Sequence, residues 1–516
     1  MKGWILGGGA AVVAVGAGAA TWAAVSFFGA GPQPSDVMPA DTIAYVSVDL
    51  DPSGSQKIAA LRLANKFPAL KKEIGLSTSD DIRRKLVESF AKDSGCTIDY
   101  SKDVQPWLGS TIGFGLVGAS DPQPVFALEI KDEDKAKTGA EKLLSCGDGD
   151  DELGFEADGD FLVFAKDKTQ AHNTITAAKK GSLSDSDDFK KWTSAAGDSG
   201  ILTAYAAPKA GDALATEFGS LTSDLSGLSG DGLGELGGLS SDDSQGSGPS
   251  WCPGAGGTGA TTSMLKKFGG GGATLRFSDH GLELEFAGDF GASTSGAKKA
   301  SVTDLPADVG AAFGMGFADG WLDKTLTSLK ETCGDQFDPQ SLYEAINSFT
   351  GLDAPADLET LTSDSVQLVV GPKIDVEALI NSADPSALPV ALRVKGDPDK
   401  IKTVVGKLAK LAPGSPVFDP KAGAGSVTIG FDPDLRDQVA AGGKLGDDAS
   451  FKSVVPNADK ANSVLFISLA RLSSAIVKAA GGDNEVAANV EPLKAFGVSG
   501  WLEGKVSHGE LILSTD

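Results

Sequence analysis

Four residue types are scarce in this 516-residue chain: it holds three histidines, four cysteines, four methionines and four tyrosines. So few imidazoles leave little room for histidine-centred catalysis or metal binding. GxSxG, HExxH and Walker A sequences are absent, as is a GxGxxG following a strand, so the hydrolases, kinases and dinucleotide enzymes that carry these motifs have no support. No CxxC occurs, which removes a thiol redox site and a zinc site. Basic residues are outnumbered, 45 against 70 acids, for a net charge of -25. Such a chain repels nucleic acid phosphates and anionic membrane surfaces, and dispersed acid keeps an exposed protein soluble.

Charge is missing altogether between Lys2 and Asp36. The stretch is rich in Gly, Ala and Val, and from Trp4 to Trp22 it would rise about 27 Å as a helix, close to the hydrocarbon thickness. Trp4 and Trp22 sit where interfacial aromatics belong. Lys2 flanks one side and Asp36, Asp41, Asp49 and Asp51 the other, so the expected topology is a single span with a cytoplasmic N-terminus and everything later extracytoplasmic. A cleaved signal peptide is the competing reading, although its apolar region is usually only about 7 to 15 residues. The first cysteine is Cys96, which excludes a lipid-carrying cysteine directly after the run.

In an exported chain, Cys96, Cys146, Cys252 and Cys333 read as two disulfides with three pairings open. Cys96 with Cys146 is favoured because both fall in one repeat, leaving Cys252 with Cys333.

The rest of the chain repeats itself. Met38-Pro39-Ala40-Asp41 and Leu305-Pro306-Ala307-Asp308 each open an alternating, strand-like run. Pro124 to Lys131 matches Pro389 to Lys395, each a strand before a charged amphipathic helix. Leu183 and Phe189-Lys190 match Leu445 and Phe451-Lys452, and Ile201 to Tyr205 is set against Val464 to Ser468. Leu265 to Gly269 is set against Leu493 to Gly497, which places His280-Gly281 and His508-Gly509 as equivalent hairpin turns. A further hairpin is expected at Asp158-Gly159.

These matches divide the chain into a cytoplasmic tip and anchor (1–31), repeat A (32–290), a linker (291–304) and repeat B (305–516). Repeat A carries a Gly/Ser-rich insertion at about 219–262, too polar to build a core. Hairpins argue against a parallel sheet, so the expected class is α+β: a transmembrane helix followed by two diverged repeats of mixed or antiparallel sheet with helices.

The chain resembles an uncharacterised bacterial membrane-anchored envelope family, catalogued as domain of unknown function 3352. The resemblance rests on Pro39-Ala40-Asp41-Thr42, Ala44 to Pro52, Gln56-Lys57, Lys66-Phe67-Pro68, Asp103 to Gly109, and Leu183 to Lys190. It spans nearly the whole exported part and implies an anchored, exported protein with no catalytic residues to transfer. Repeat B lacks the Pro106-Trp107-Leu108-Gly109 element.

The remaining candidates for chemistry are thin. His172 reads as exposed helix surface, the acids Asp148 to Glu152 do not fit an EF-hand, and Trp107, Trp192, Trp251, Trp321 and Trp501 are scattered, mostly at element edges. No catalytic, cofactor-binding or metal residue is assigned. The expected function is a non-enzymatic binding module outside the membrane, with an envelope protein, a lipid or a small apolar ligand as partner. A carboxylate-based hydrolase of wall polymers and a structural scaffold are the alternatives.

Overall fold

A computed structural model describes residues 32–50, 54–68, 83–84, 87–88, 91, 97–145, 153–211, 267–278, 280–291, 296–334, 337–378 and 389–515. Trp4, Trp22, Cys96, Cys146, Asp148 to Glu152, Trp251 and Cys252 lie outside these residues, as does the Gly/Ser-rich insertion. Among the described residues no helix is long and apolar enough to cross a membrane.

Repeat A contributes strands β1 (Thr42–Asp49), β2 (Leu108–Val117), β3 (Gln123–Ile130), β4 (Gly154–Asp158), β5 (Phe161–Ala165), β6 (Leu202–Ala206), β7 (Gly271–Ser278) and β8 (Gly281–Gly288). Repeat B contributes β9 (Ala311–Gly316), β10 (Ser365–Val370), β11 (Val390–Lys395), β12 (Lys421–Gly423), β13 (Ser426–Gly430), β14 (Ser463–Ile467), β15 (Ala495–Glu503) and β16 (Val506–Ser514). All join one 16-stranded sheet in the order β12-β13-β11-β10-β9-β14-β15-β16-β8-β7-β6-β1-β2-β3-β5-β4. Every described pairing in it is antiparallel. Each half therefore repeats the other strand for strand, and the halves meet where β8 pairs β16.

The helices follow the same plan. In repeat A they are α1 (Ser55–Lys66), α2 (Glu133–Leu144), α3 (Lys168–Ala178) and α4 (Asp187–Ala195). In repeat B they are α5 (Trp321–Cys333), α6 (Pro339–Thr350), α7 (Ala356–Leu361), α8 (Pro398–Leu408), α9 (Pro433–Ala441), α10 (Ala449–Val454), α11 (Leu469–Ala479) and α12 (Asn484–Val490). Matched helices start on matched caps: Asp132 and Asp397 open α2 and α8, Asp167 and Asp432 open α3 and α9, Ser186 and Asp448 open α4 and α10. Each cap oxygen accepts from an otherwise orphaned N–H of the first turn.

Backbone hydrogen bonds set the correspondence exactly where side chains alone leave it loose. Leu183 N–H donates to Met38 C=O (2.7 Å) and Leu445 N–H to Leu305 C=O (2.8 Å), so those matches stand. Phe189 and Tyr205 meet edge-on at 5.2 Å, and Phe451 and Phe466 repeat the contact at 5.2 Å. Tyr205 thus corresponds to Phe466, two positions away from the alignment expected from sequence. Similarly, Gly269 N–H donates to Asp289 C=O and Lys494 N–H to Ser514 C=O, which shifts the LKxFG match by three. Gly272 and Gly497 become equivalents for a steric reason. A Cβ on Gly272 would lie 2.5 Å from the Trp192 carbonyl, and one on Gly497 would lie 2.1 Å from the Val454 carbonyl.

Candidate binding face

Strand side chains alternate between the two faces of a sheet. On one face the register aligns Ile429, Leu392, Leu368, Phe313, Leu465, Val498, Leu511, Leu284, Leu275, Leu202, Val48, Ile112, Leu128, Leu162 and Ala157. This row crosses all strands but β12, and every member is apolar. The neighbouring row on the opposite face runs Thr428, Arg393, Gln367, Gly314, Val464, Ser499, Glu510, Glu285, Thr274, Thr203, Ser47, Gly113, Ala127, Val163 and Glu156.

Burial differs between these two rows, although the helix-covered face also carries the apolar clusters around Phe466 and Tyr45. A sheet with one covered face normally buries its apolar side and leaves the polar side wet. Here the row containing Thr428, Arg393, Gln367, Ser499, Glu510, Thr274, Thr203 and Ser47 is buried, under α3, α4, α9 and α10. The apolar row is half-buried for most of its length, with Phe313 38% and Leu368 41% exposed and Met315 beside them at 38%. Helices cover that face at intervals. α1 packs Ala59 and Ala60 on Leu275 and Phe277, α2 packs Ala136 and Ala140 on Leu162, and α8 packs Ile401 and Val405 on Val394 and Val427. Full burial of a Leu or Phe is worth about 1.5–3 kcal/mol, so the open stretch forgoes stability that a covering ligand would recover.

At the repeat B end the buried polar row is held by hydrogen bonds, whereas the hydroxyls of Ser47, Thr428 and Ser499 are buried without a partner among the described residues. Arg393 Nε donates to Gln367 Oε1 (2.8 Å), its Nη2 donates to Ser301 C=O (2.8 Å) and to Asp304, and Lys395 Nζ donates to Asp304 (2.7 Å). Burial opposes ionisation of Asp304, but Lys395 and Arg393 prevail and hold its carboxyl below the ordinary range.

At the junction of the halves, Glu285 stands directly opposite Glu510, and the matched registers make these two residues equivalents across a pseudo-two-fold axis. Arg276 Nη2 donates to Glu285 Oε2 (2.7 Å) and also to Glu283. Glu510 accepts from Asn457 Nδ2 (2.8 Å). Burial pushes the Glu510 carboxyl above its usual range, Asn457 opposes this, and Glu283 and Glu285 add to it.

Across the axis, Trp501 occupies the place of Arg276 and His508 that of Glu283. Both pairs face each other across a hairpin. The ion pair of repeat A is thus replaced in repeat B by an imidazole stacked on an indole, with centroids 5.3 Å apart and planes 3° apart. This corrects the expectation that His280-Gly281 and His508-Gly509 are equivalent turns. His280 and Gly281 do close the β7–β8 hairpin, but His508 and Gly509 lie inside β16, past a turn at Gly504-Lys505. The expected hairpin at Asp158-Gly159 joins β4 and β5.

His172 lies on α3 as expected, its Nδ1 3.0 Å from Glu156 Oε1. The tryptophans are less peripheral than their sequence positions suggest: Trp107, Trp192 and Trp501 are 1%, 0% and 5% exposed. Cys333 is buried at the end of α5 and is not free; its expected pairing involves residues outside the described set. No group of three His, Cys, Asp or Glu among the described residues is arranged to hold a metal ion. The charged residues of the junction were not singled out by sequence reasoning. Their signal was the strand Leu282-Glu283-Leu284-Glu285-Phe286, whose glutamates alternate with the apolar residues that drew attention.

No curated protein and no solved structure matches the chain. Residues 5–158 match the family described as protein of unknown function (DUF3352), the family the sequence resembles, over a span that ends in β4 and does not reach repeat B.

Proposed function

We propose that this protein is a non-enzymatic binding module that takes up an apolar or amphiphilic ligand on the half-covered face of its sheet. The observation that carries the reading is a contrast in burial: polar side chains are packed beneath helices while the apolar stretch around Phe313, Met315 and Leu368 on the other face stays exposed. The hydrolase alternative needs a carboxylate pair facing a groove. Glu283, Glu285 and Glu510 instead share Arg276 and Asn457 on the helix-covered face, which is the arrangement of a structural junction. Envelope placement belongs to the same proposal, with the uncharged segment before Asp36 as anchor and the sheet on the outer side.

Native mass spectrometry of the full chain, extracted in a mild neutral detergent, tests the binding role. The expected spectrum contains a retained apolar adduct that Leu511→Glu removes. Recovery of bare protein alone would overturn the reading. Protease added to intact cells tests placement, with digestion of the bulk of the chain expected and full protection refuting it.

A further inference from the structure

Of the four methionines in the chain, Met38 and Met315 fall among the described residues, and the fold treats them oppositely. Met38 is fully buried, whereas Met315 on β9 is exposed on the apolar face. The local sequence dictates this. β9 alternates small and large residues, with Ala312, Gly314 and Gly316 on the helix-covered side and Phe313 and Met315 on the other. The segment before β9 lies directly on the small residues: a Cβ on Gly314 would meet Val302 and Ala300, and one on Gly316 the Lys298 carbonyl. With no room on that side, the two large side chains stay outward.

Met315 is therefore held within the open patch, beside Phe313 along β9 and opposite Val366 of β10. Repeat A closes the equivalent place. The ring contacts that match Tyr205 with Phe466 also match, through the strand register, Met315 with Val48 and Leu368 with Phe114. Val48 is half-buried and carries no sulfur, and Phe114 is buried with its ring 5.0 Å from that of Phe126. Of the two equivalent places, the open one holds the oxidisable atom.

A flexible, polarisable thioether suits an apolar contact surface, and its sulfur is also what a peroxide attacks. A sulfur lone pair takes one peroxide oxygen and the O–O bond breaks. The thioether gives up two electrons to become a sulfoxide, and the other oxygen leaves as water. The product is a polar S=O group beside Phe313. An apolar occupant would strip that group of its hydration without offering a hydrogen bond in return.

We infer that Met315 is an oxidation site through which peroxide switches off binding at the apolar face. This rests on the binding role proposed above and adds its regulation. Met315 lies outside the described buried clusters of repeat B, so its oxidation alters the surface and leaves the fold standing.

Hydrogen peroxide added to the full chain in mild neutral detergent tests this, read by peptide mapping and by native mass spectrometry with monopalmitin as a neutral apolar probe. Met315 should gain one oxygen at least about tenfold faster than Met38, with Tm unchanged. The oxidised chain should bind monopalmitin at least about tenfold more weakly. Met315→Gln, which puts a polar side chain of similar length there, should bind as weakly without peroxide. Met315→Leu should bind fully before and after treatment. Equal oxidation of Met38 and Met315, or a fall in Tm that tracks the loss of binding, would overturn the site. Undiminished binding by the oxidised chain, or loss of binding in peroxide-treated Met315→Leu, would overturn the switch and leave the binding role in place. If the untreated chain binds no monopalmitin, the binding role fails and the switch falls with it.

Discussion

Glu510 is a carboxylic acid whose ionisation the fold resists. It is 5% exposed, faces Glu285 across the junction and has Asn457 as its donor. Its folded pKa lies above the unfolded value, so the native state binds more protons in the window between the two. Stability from this group is present at low pH and is lost as pH rises through that window. Glu510→Gln keeps the acceptor for Asn457 and removes the charge. Thermal melts should show a higher Tm than the unaltered chain at pH 8 and no difference at pH 4; an unchanged Tm at pH 8 would contradict this account. Glycines provide a second contrast at this scale. Gly497→Ala drives a methyl into the Val454 carbonyl and should cost about 1–3 kcal/mol in denaturant titrations. Gly406→Ala, in α8 with no atom within 4 Å of the new Cβ, should instead stabilise by about 0.5–1 kcal/mol.

Among the elements, the helices divide by what they bury. α10 places Phe451, 1% exposed, edge-on to Phe466 in the largest cluster of repeat B. Phe451→Ala should cost about 3–5 kcal/mol, read as a lowered denaturant midpoint with unchanged slope. Phe349 on α6 is 85% exposed, and Phe349→Ser should shift the midpoint by less than about 0.5 kcal/mol. The sheet elements were largely legible from sequence because alternation and turn glycines are local signals. The β4–β5 hairpin at Gly159 and the strands after Asp41 and Asp308 fall where those signals put them. The register of β15 and β16 was less legible. Matching Phe268 to Phe496 and His280 to His508 aligned letters, whereas the hydrogen bonds align Gly272 with Gly497 beneath the carbonyls of α4 and α10. Close packing of backbone on backbone leaves only a glycine in the sequence, and a chain with 67 glycines supplies many candidates.

For the whole molecule, the decisive fact is that β8 and β16 pair over eight residue pairs, from Gly281 opposite Ser514 to Gly288 opposite Ser507. Neither repeat then has a free edge at the junction. A chain restricted to repeat B exposes β16, an eight-to-nine-residue edge with Leu511 and Leu513 on one side, and unpaired edges seek partners. Light scattering should find residues 305–516 as a dimer through β16, with a Leu511→Lys variant weakening it; a monomer at tens of micromolar would contradict the junction's role.

Composition and periodicity by themselves determined that the chain is α+β, that the part after Asp36 is duplicated, and that its strands alternate between two faces, because each of these is written in local sequence patterns. They did not determine which side is covered, that both repeats share one sheet, or that His508 stands in for Glu283. Those follow from tertiary contacts, within each repeat as for Phe451 with Phe466 and across the junction as for Glu285 with Glu510, and only the folded register brings them together. A period of two marks the faces of a strand and is silent on what packs against either one.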